Sequence, residues 1–130
     1  MNPQPRILSV GQCSADHGSI SRALSRGLGA RVVGVDTAEA ALDALRTPSF
    51  DLVLVNRVGD LDGAPGLDLI RALKAVPAVA EVPVMLVSNY PDAQAQAEAL
   101  GALKGFGKAD LGTPKVIAAV RAALGRDESP

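Results

Sequence analysis

The chain has no tryptophan, a single cysteine, Cys13, and a single histidine, His17. One cysteine excludes an intrachain disulfide and a multi-cysteine zinc site, and one histidine excludes a histidine-rich metal centre. Only Phe50, Tyr90 and Phe106 are aromatic, so the core has to be assembled from Val, Leu, Ile and Ala, and base-stacking platforms for nucleic acid are poorly supported. Charge of one sign is also missing: 13 Lys+Arg stand against 14 Asp+Glu, a formal net charge of −1. That balance gives no general attraction to nucleic acid or to an anionic membrane. No apolar run approaches the about 20 residues needed to span a bilayer. The opening Met-Asn-Pro-Gln-Pro-Arg does not have the pattern of a signal peptide. A reducing cytoplasm is the expected compartment.

What remains is ordinary globular material, 48% hydrophobic and 21% charged over 130 residues. This length suits one domain and buries enough surface to fold without a metal or disulfide staple. The expectation is a single domain over residues 1–130, with a core from about Arg6 to Leu124 and loose tails at Met1–Pro5 and Gly125–Pro130.

Hydrophobic patterning alternates between two periods. Ile7–Val10 is a short strand ended by Gly11, and Ile20, Leu24 and Leu28 then recur four apart on a helix that Gly27 and Gly29 close. Val32–Val35 is a strand, and Asp36-Thr37-Ala38-Glu39 is a capped helix start, with Ala41, Leu42 and Leu45 inward and Pro48 as the stop. Leu52–Val55 is apolar at every position, which predicts a central strand covered on both faces. After a Gly/Asp-rich loop from Arg57 to Gly66, Leu67, Ile70, Leu73 and Val76 mark a third helix. Pro83 opens the strand Val84–Val87, Asp92–Leu100 makes an Ala-rich helix, and a brief strand at Gly105–Gly107 precedes Lys108. Thr113-Pro114 is a helix start with a capping hydroxyl and a first-turn proline, and Val116, Ile117, Val120 and Leu124 form the inner face.

Five strand–helix units in strict alternation predict an α/β fold, a parallel sheet with helices on both faces. Ligands in such a sheet sit beyond the carboxyl ends of the strands, which directs attention to Gly11-Gln12, Asn56-Arg57, Ser88-Asn89 and Lys108-Ala109. At those positions Phe50-Asp51-Leu52-Val53-Leu54-Val55-Asn56, Pro83-Val84-Met85-Leu86-Val87-Ser88 and Lys108, together with Val35-Asp36-Thr37-Ala38-Glu39-Ala40-Ala41-Leu42, resemble a response-regulator receiver domain of the CheY-like superfamily. The resemblance runs from Arg6 to about Leu124. It implies a three-layer, doubly wound, flavodoxin-like sheet of five parallel strands in order 2-1-3-4-5 with about five helices.

The resemblance also implies a pocket. In that family an acidic pair after the first strand binds Mg²⁺, an Asp ending the third strand accepts a phosphoryl group, and a Thr or Ser and a Lys grip its oxygens. By position the acidic pair falls on Gly11 and Gln12 and the acceptor on Asn56, while Ser88 and Lys108 keep the family's residue types. Mg²⁺ wants hard charged oxygens, and an amide is no substitute for a carboxylate nucleophile. Phosphotransfer is therefore not expected, nor is a metal or cofactor. Gly105 stands where the family has a switch aromatic and Ala109 where it has a proline, so the coupled switch lacks its ring.

Plainer readings sit beside the sharper ones. Asp16, as a displaced metal ligand, competes with an acid that complements a helix dipole. Asp60 and Asp62 suit turn chemistry better than a calcium clip. Cys13 and His17, at i,i+4, lack a third member for nucleophilic or metal chemistry. A Ser88–Lys108 hydrolase has no further base, and the plainer reading has Lys108 persist only to bond Asn56, Ser88 or nearby carbonyls. Tyr90 suits either an interface anchor or a ring lying over a loop.

The expected function is a stand-alone, non-enzymatic pseudo-receiver that binds unidentified signalling proteins independently of phosphorylation. The resemblance implies contact through the face of helix 4, strand 5 and helix 5, with Tyr90, Gly105 and Ala109 on it. The alternative is a small-anion or small-ligand sensor in which Arg57, Ser88 and Lys108 line the former phosphorylation pocket. Neither nucleic acid nor membrane is an expected partner.

Overall fold

The computed structural model describes residues 4–47 and 49–125; the expected stop at Pro48 and most of the two tails lie outside them. Strands and helices alternate throughout: β1 (Arg6–Val10), α1 (Ser14–Leu28), β2 (Arg31–Val35), α2 (Ala38–Ala44), β3 (Leu52–Asn56), α3 (Gly66–Ala75), β4 (Val84–Val87), α4 (Pro91–Ala99), β5 (Leu103–Phe106) and α5 (Pro114–Ala123). A single 3-10 turn, Lys108–Asp110, precedes α5. The five strands pair in parallel in the order β2-β1-β3-β4-β5, the doubly wound α/β architecture expected from the sequence.

Successive strand residues point to opposite faces, so the sheet supports two cores. Leu8, Val10, Val53, Val55, Val84 and Leu86 pack on one side against Ala41 of α2, Leu69, Ile70 and Leu73 of α3 and Ala97 of α4. Ile7, Leu52, Leu54, Met85 and Val87 pack on the other against Ile20 and Leu24 of α1 and Val116 and Val120 of α5. Burial on both faces is why β3 and β4 are unbroken apolar runs.

Helix starts follow local chemistry. Thr37 Oγ1 accepts from the Ala40 amide at 3.1 Å, and Thr113 Oγ1 accepts from Val116 at 3.4 Å with Pro114 in the first turn. Four expectations are corrected. Gly27 stays inside α1, pressed against Ile117 of α5, and Gly29 alone forms the cap. Leu69 joins Ile70 and Leu73 on the inner face of α3, with Leu67 partly buried against the same core; Val76 lies at the cap, exposed, because the helix ends before its turn comes round. Helix α4 begins a residue earlier, on Pro91, and β5 covers Leu103–Phe106 rather than Gly105–Gly107. β5 is an edge strand with an irregular register against Met85 and Val87, so its pairing carries little sequence signal. Among the described residues no helix is long and apolar enough to cross a membrane.

Candidate functional site

The sheet order reverses at β1, so the crevice lies beyond the carboxyl ends of β1 and β3. Gly11, just past β1, has φ +79°, a left-handed conformation that glycine tolerates. A Cβ built there would meet Gly59 Cα at 3.1 Å. The β3–α3 loop lies over this position and is anchored to it, with the Asp60 amide donating to the Gly11 carbonyl at 2.9 Å. The loop closes on itself through Gly59 N–H to Ala64 O at 2.8 Å, Gly66 N–H to Arg57 O at 2.7 Å, and Ala64 N–H to Asp62 Oδ1 at 3.0 Å. Asp62 thus acts in the turn, as expected.

Asn56 ends β3 and fastens this arrangement. Its Nδ2 donates to the carbonyls of Gly11 at 3.0 Å and Val58 at 2.7 Å. Only the nitrogen end of an amide can meet two carbonyl oxygens; a carboxylate offers acceptors alone. Gln12 is only 6% exposed, and neither of its amide atoms meets a partner among the described residues.

Lys108, in the 3-10 turn after β5, does not bond Asn56 or Ser88. Its ammonium donates instead to Asp16 Oδ2 at 2.6 Å, across 92 residues of sequence. The Lys108 hydrogen bond holds the Asp16 carboxyl below its ordinary 3.8 against the opposing effect of burial, with lesser help from a Cys13 hydrogen bond and from the ammonium charge. Asp16 lies in the first turn of α1 and so has both a dipole role and a partner. Cys13 is the α1 cap, its Sγ accepting from the Asp16 amide at 3.4 Å, and His17 packs against Gly34 of β2; the two do not form a pair.

Ser88 is buried, and its Oγ accepts from the Tyr90 amide at 3.1 Å. Arg57 stacks on the Tyr90 ring, 4.8 Å from guanidinium carbon to centroid. Asn56, Arg57, Ser88 and Lys108 all line one pocket of about 270 Å³ at the carboxyl edge.

A second, larger groove of about 620 Å³ runs between α4, β5 and α5, and Tyr90, Gly105 and Ala109 all line it. Its architecture rests on a residue that sequence reading passed over. Gln94 of α4 is buried, and its Nε2 donates to the carbonyls of Leu86 at 2.9 Å and Ser88 at 3.1 Å while its Oε1 accepts from the Gly105 amide at 3.0 Å. The only sequence signal for it is a polar residue on the face of α4 that also carries Ala97. A side chain at Gly105 would run into the Leu86 carbonyl, so the ring the resembled family keeps there has no place to stand. Asn89 Oδ1 accepts from the Ala109 amide at 3.1 Å and packs over Gly107.

The Mg²⁺ implied by the resemblance does not fit these residues. Its place is held by a glycine without a side chain, a neutral glutamine, and an asparagine whose nitrogen is already committed to two carbonyls. Among the described residues no three His, Cys, Asp or Glu side chains gather into a metal-binding group.

No family model matches the chain. The transcriptional regulatory protein ZraR of Escherichia coli (strain K12) is 38% identical over 85 residues, covering 65% of the chain and 18% of ZraR. The match thus spans under a fifth of the length of these curated relatives. A putative response regulator from Chloroflexus aurantiacus J-10-fl superposes with TM-score 0.82 at 19% identity, covering 95% of this chain and 100% of that one. The signal receiver domain of a DNA-binding response regulator from Colwellia psychrerythraea 34H gives TM-score 0.77 at 22% identity, over 94% and 99%. The chain has the response-regulator receiver fold. The crevice at Gly11, Gln12 and Asn56 lies at the carboxyl ends of β1 and β3, and the 620 Å³ groove is bounded by α4, β5 and α5.

Proposed function

We propose that the chain is a receiver domain of two-component signalling that works without phosphoryl transfer, as a non-enzymatic, cytoplasmic docking module for another signalling protein. The observation that carries this reading is the pair of hydrogen bonds from Asn56 Nδ2 to Gly11 O and Val58 O. They put an amide where an acceptor carboxylate would have to stand, and they hold the loop over the place of the metal. The groove at Tyr90, Gly105 and Ala109 is the docking face in this reading. Its floor, held by the three bonds of Gln94, supplies a fixed surface in place of a switch. The test is quantitative partner capture by the full chain with and without acetyl phosphate and Mg²⁺. Equal recovery is expected, and recovery that strictly requires the donor overturns the proposal.

A second reading is favoured by the single pocket that gathers Arg57, Ser88 and Lys108. There the chain senses a small anion held by the two cations and the hydroxyl. Thermal-shift screening with phosphate, sulfate, nucleotides and acidic metabolites separates the two. Stabilisation by a free anion at millimolar concentration supports this second reading, and its absence removes it.

A further inference from the structure

The carboxyl-edge pocket has an unusual lining. Arg57 and Lys108 bring two cations to it, Asn56, Ser88 and Asn89 bring neutral polar groups, and no carboxylate lines it. Asp16 takes one donor of Lys108, and an ammonium has three. Arg57 makes no ion pair among the described residues. Its guanidinium lies over the Tyr90 ring, an arrangement that leaves the N–H edges of the plane for an acceptor.

Part of the pocket's rim is apolar. Five large hydrophobic residues are exposed among the described residues, and three of them stand on the two loops at this edge: Val58 at 39%, Leu61 at 67% and Tyr90 at 58%. These loops are held before any partner arrives, by the two Asn56 bonds on one side and the Ser88–Tyr90 bond on the other. A fixed Arg–Tyr pair beside exposed aliphatic side chains is the composition of an interface anchor, and prior ordering lowers the entropic cost of binding.

We infer that this pocket receives an acidic side chain of a partner polypeptide, with an adjoining apolar residue of the partner seated on Val58 and Tyr90. The inference rests on the docking-module reading and moves its centre from the α4–β5–α5 groove to the carboxyl edge; Ser88, Asn89 and Tyr90 line both cavities and join them. A free inorganic anion would satisfy the cations and leave the apolar rim unused. A polyanion such as nucleic acid would meet the exposed Asp60 and Asp62 on the same loop. One carboxylate flanked by an apolar side chain meets the cations and the rim while bringing far less negative charge towards those acids.

The experiment pans a phage-displayed random peptide library against the full chain and measures the affinity of synthesised hits by fluorescence anisotropy. The expected hits carry Asp or Glu beside Leu, Ile or Phe. Changing that acid to its amide weakens binding about tenfold or more, Arg57→Gln on the protein does the same, and the two losses do not add. Arg57 is exposed and Lys108 part-exposed, so Arg57→Gln and Lys108→Gln should both stay folded, which circular dichroism checks. Hits without an acid, or hits indifferent to both variants, overturn the inference, as does a library that yields no binder. Hits that lose affinity with Ala119→Arg in the groove but not with Arg57→Gln overturn it while leaving the docking-module reading intact. Binding that requires acetyl phosphate overturns both. Sodium acetate or sulfate that stabilises the chain as much as a hit peptide makes the pocket a small-anion site and overturns the peptide inference alone.

Discussion

A carboxylate at position 56 would face the carbonyl oxygens of Gly11 and Val58, which the Asn56 amide nitrogen now reaches at 3.0 and 2.7 Å. Two donated bonds would become two repulsive contacts in a part-buried corner. Asn56→Asp is therefore expected to lower stability by about 1–3 kcal/mol in urea unfolding at pH 7. The repulsion raises the new carboxyl above the ordinary Asp value of about 4, so the deficit shrinks as pH falls through that raised value and the protonated form regains one O–H donor. Asp16 gives a second pH-dependent prediction, from a carboxylate that stabilises rather than one that is repelled. Its carboxyl titrates lower in the folded chain than its ordinary 3.8 because Lys108 bonds its charged form. The stabilisation is thus fully present above the unfolded value and is lost as pH falls through the folded one. Both side chains are about one-third exposed, so the pair contributes about 0.5–1 kcal/mol. Asp16→Asn should cost that amount at pH 7 by urea unfolding, and the gap from wild type should close in strong acid.

Among the elements, α4 and β5 are held together by a glutamine. Removing Gln94 leaves the carbonyls of Leu86 and Ser88 and the Gly105 amide without their partner. Gln94→Ala should cost about 2–4 kcal/mol and speed hydrogen exchange at the Gly105 amide, while amides of β1 and β3 keep their protection. Unchanged exchange at Gly105 would mean the clamp is not what orders β5. This clamp also marks the limit of what the sequence discloses. The caps at Thr37 and Thr113-Pro114 are local chemistry and are read directly; so are the apolar runs of β3 and β4, because both faces of those strands are covered. Gly11, Gln12, Asn56, Ser88 and Lys108 were placed at the strand ends by topology and resemblance, and they lie there. Lys108's partner was not legible, since nothing in a sequence sets Asp16 opposite a residue 92 positions away. Nor was β5, whose Lys104 and Gly105 are weak strand formers paired irregularly at an edge.

At the scale of the whole molecule, two apolar cores clamp the sheet from either side, and the loops at its carboxyl edge are bonded to one another rather than left open. A receiver fold that signals by phosphorylation needs a metal, an acceptor and a part that moves. Here Gly11 and Gln12 give no charged ligand, Asn56 gives no nucleophile, and Gly105 gives no ring. Restoring the acceptor alone does not restore the metal, so even Asn56→Asp should remain unreactive. Intact-mass spectrometry after incubation with acetyl phosphate and Mg²⁺ tests this most directly. Wild type and Asn56→Asp are both expected to keep their unmodified mass. A labile adduct of one phosphoryl group on wild type would contradict a phosphorylation-independent module, and one on the variant alone would show that Asp16 or Asp60 holds the ion after all.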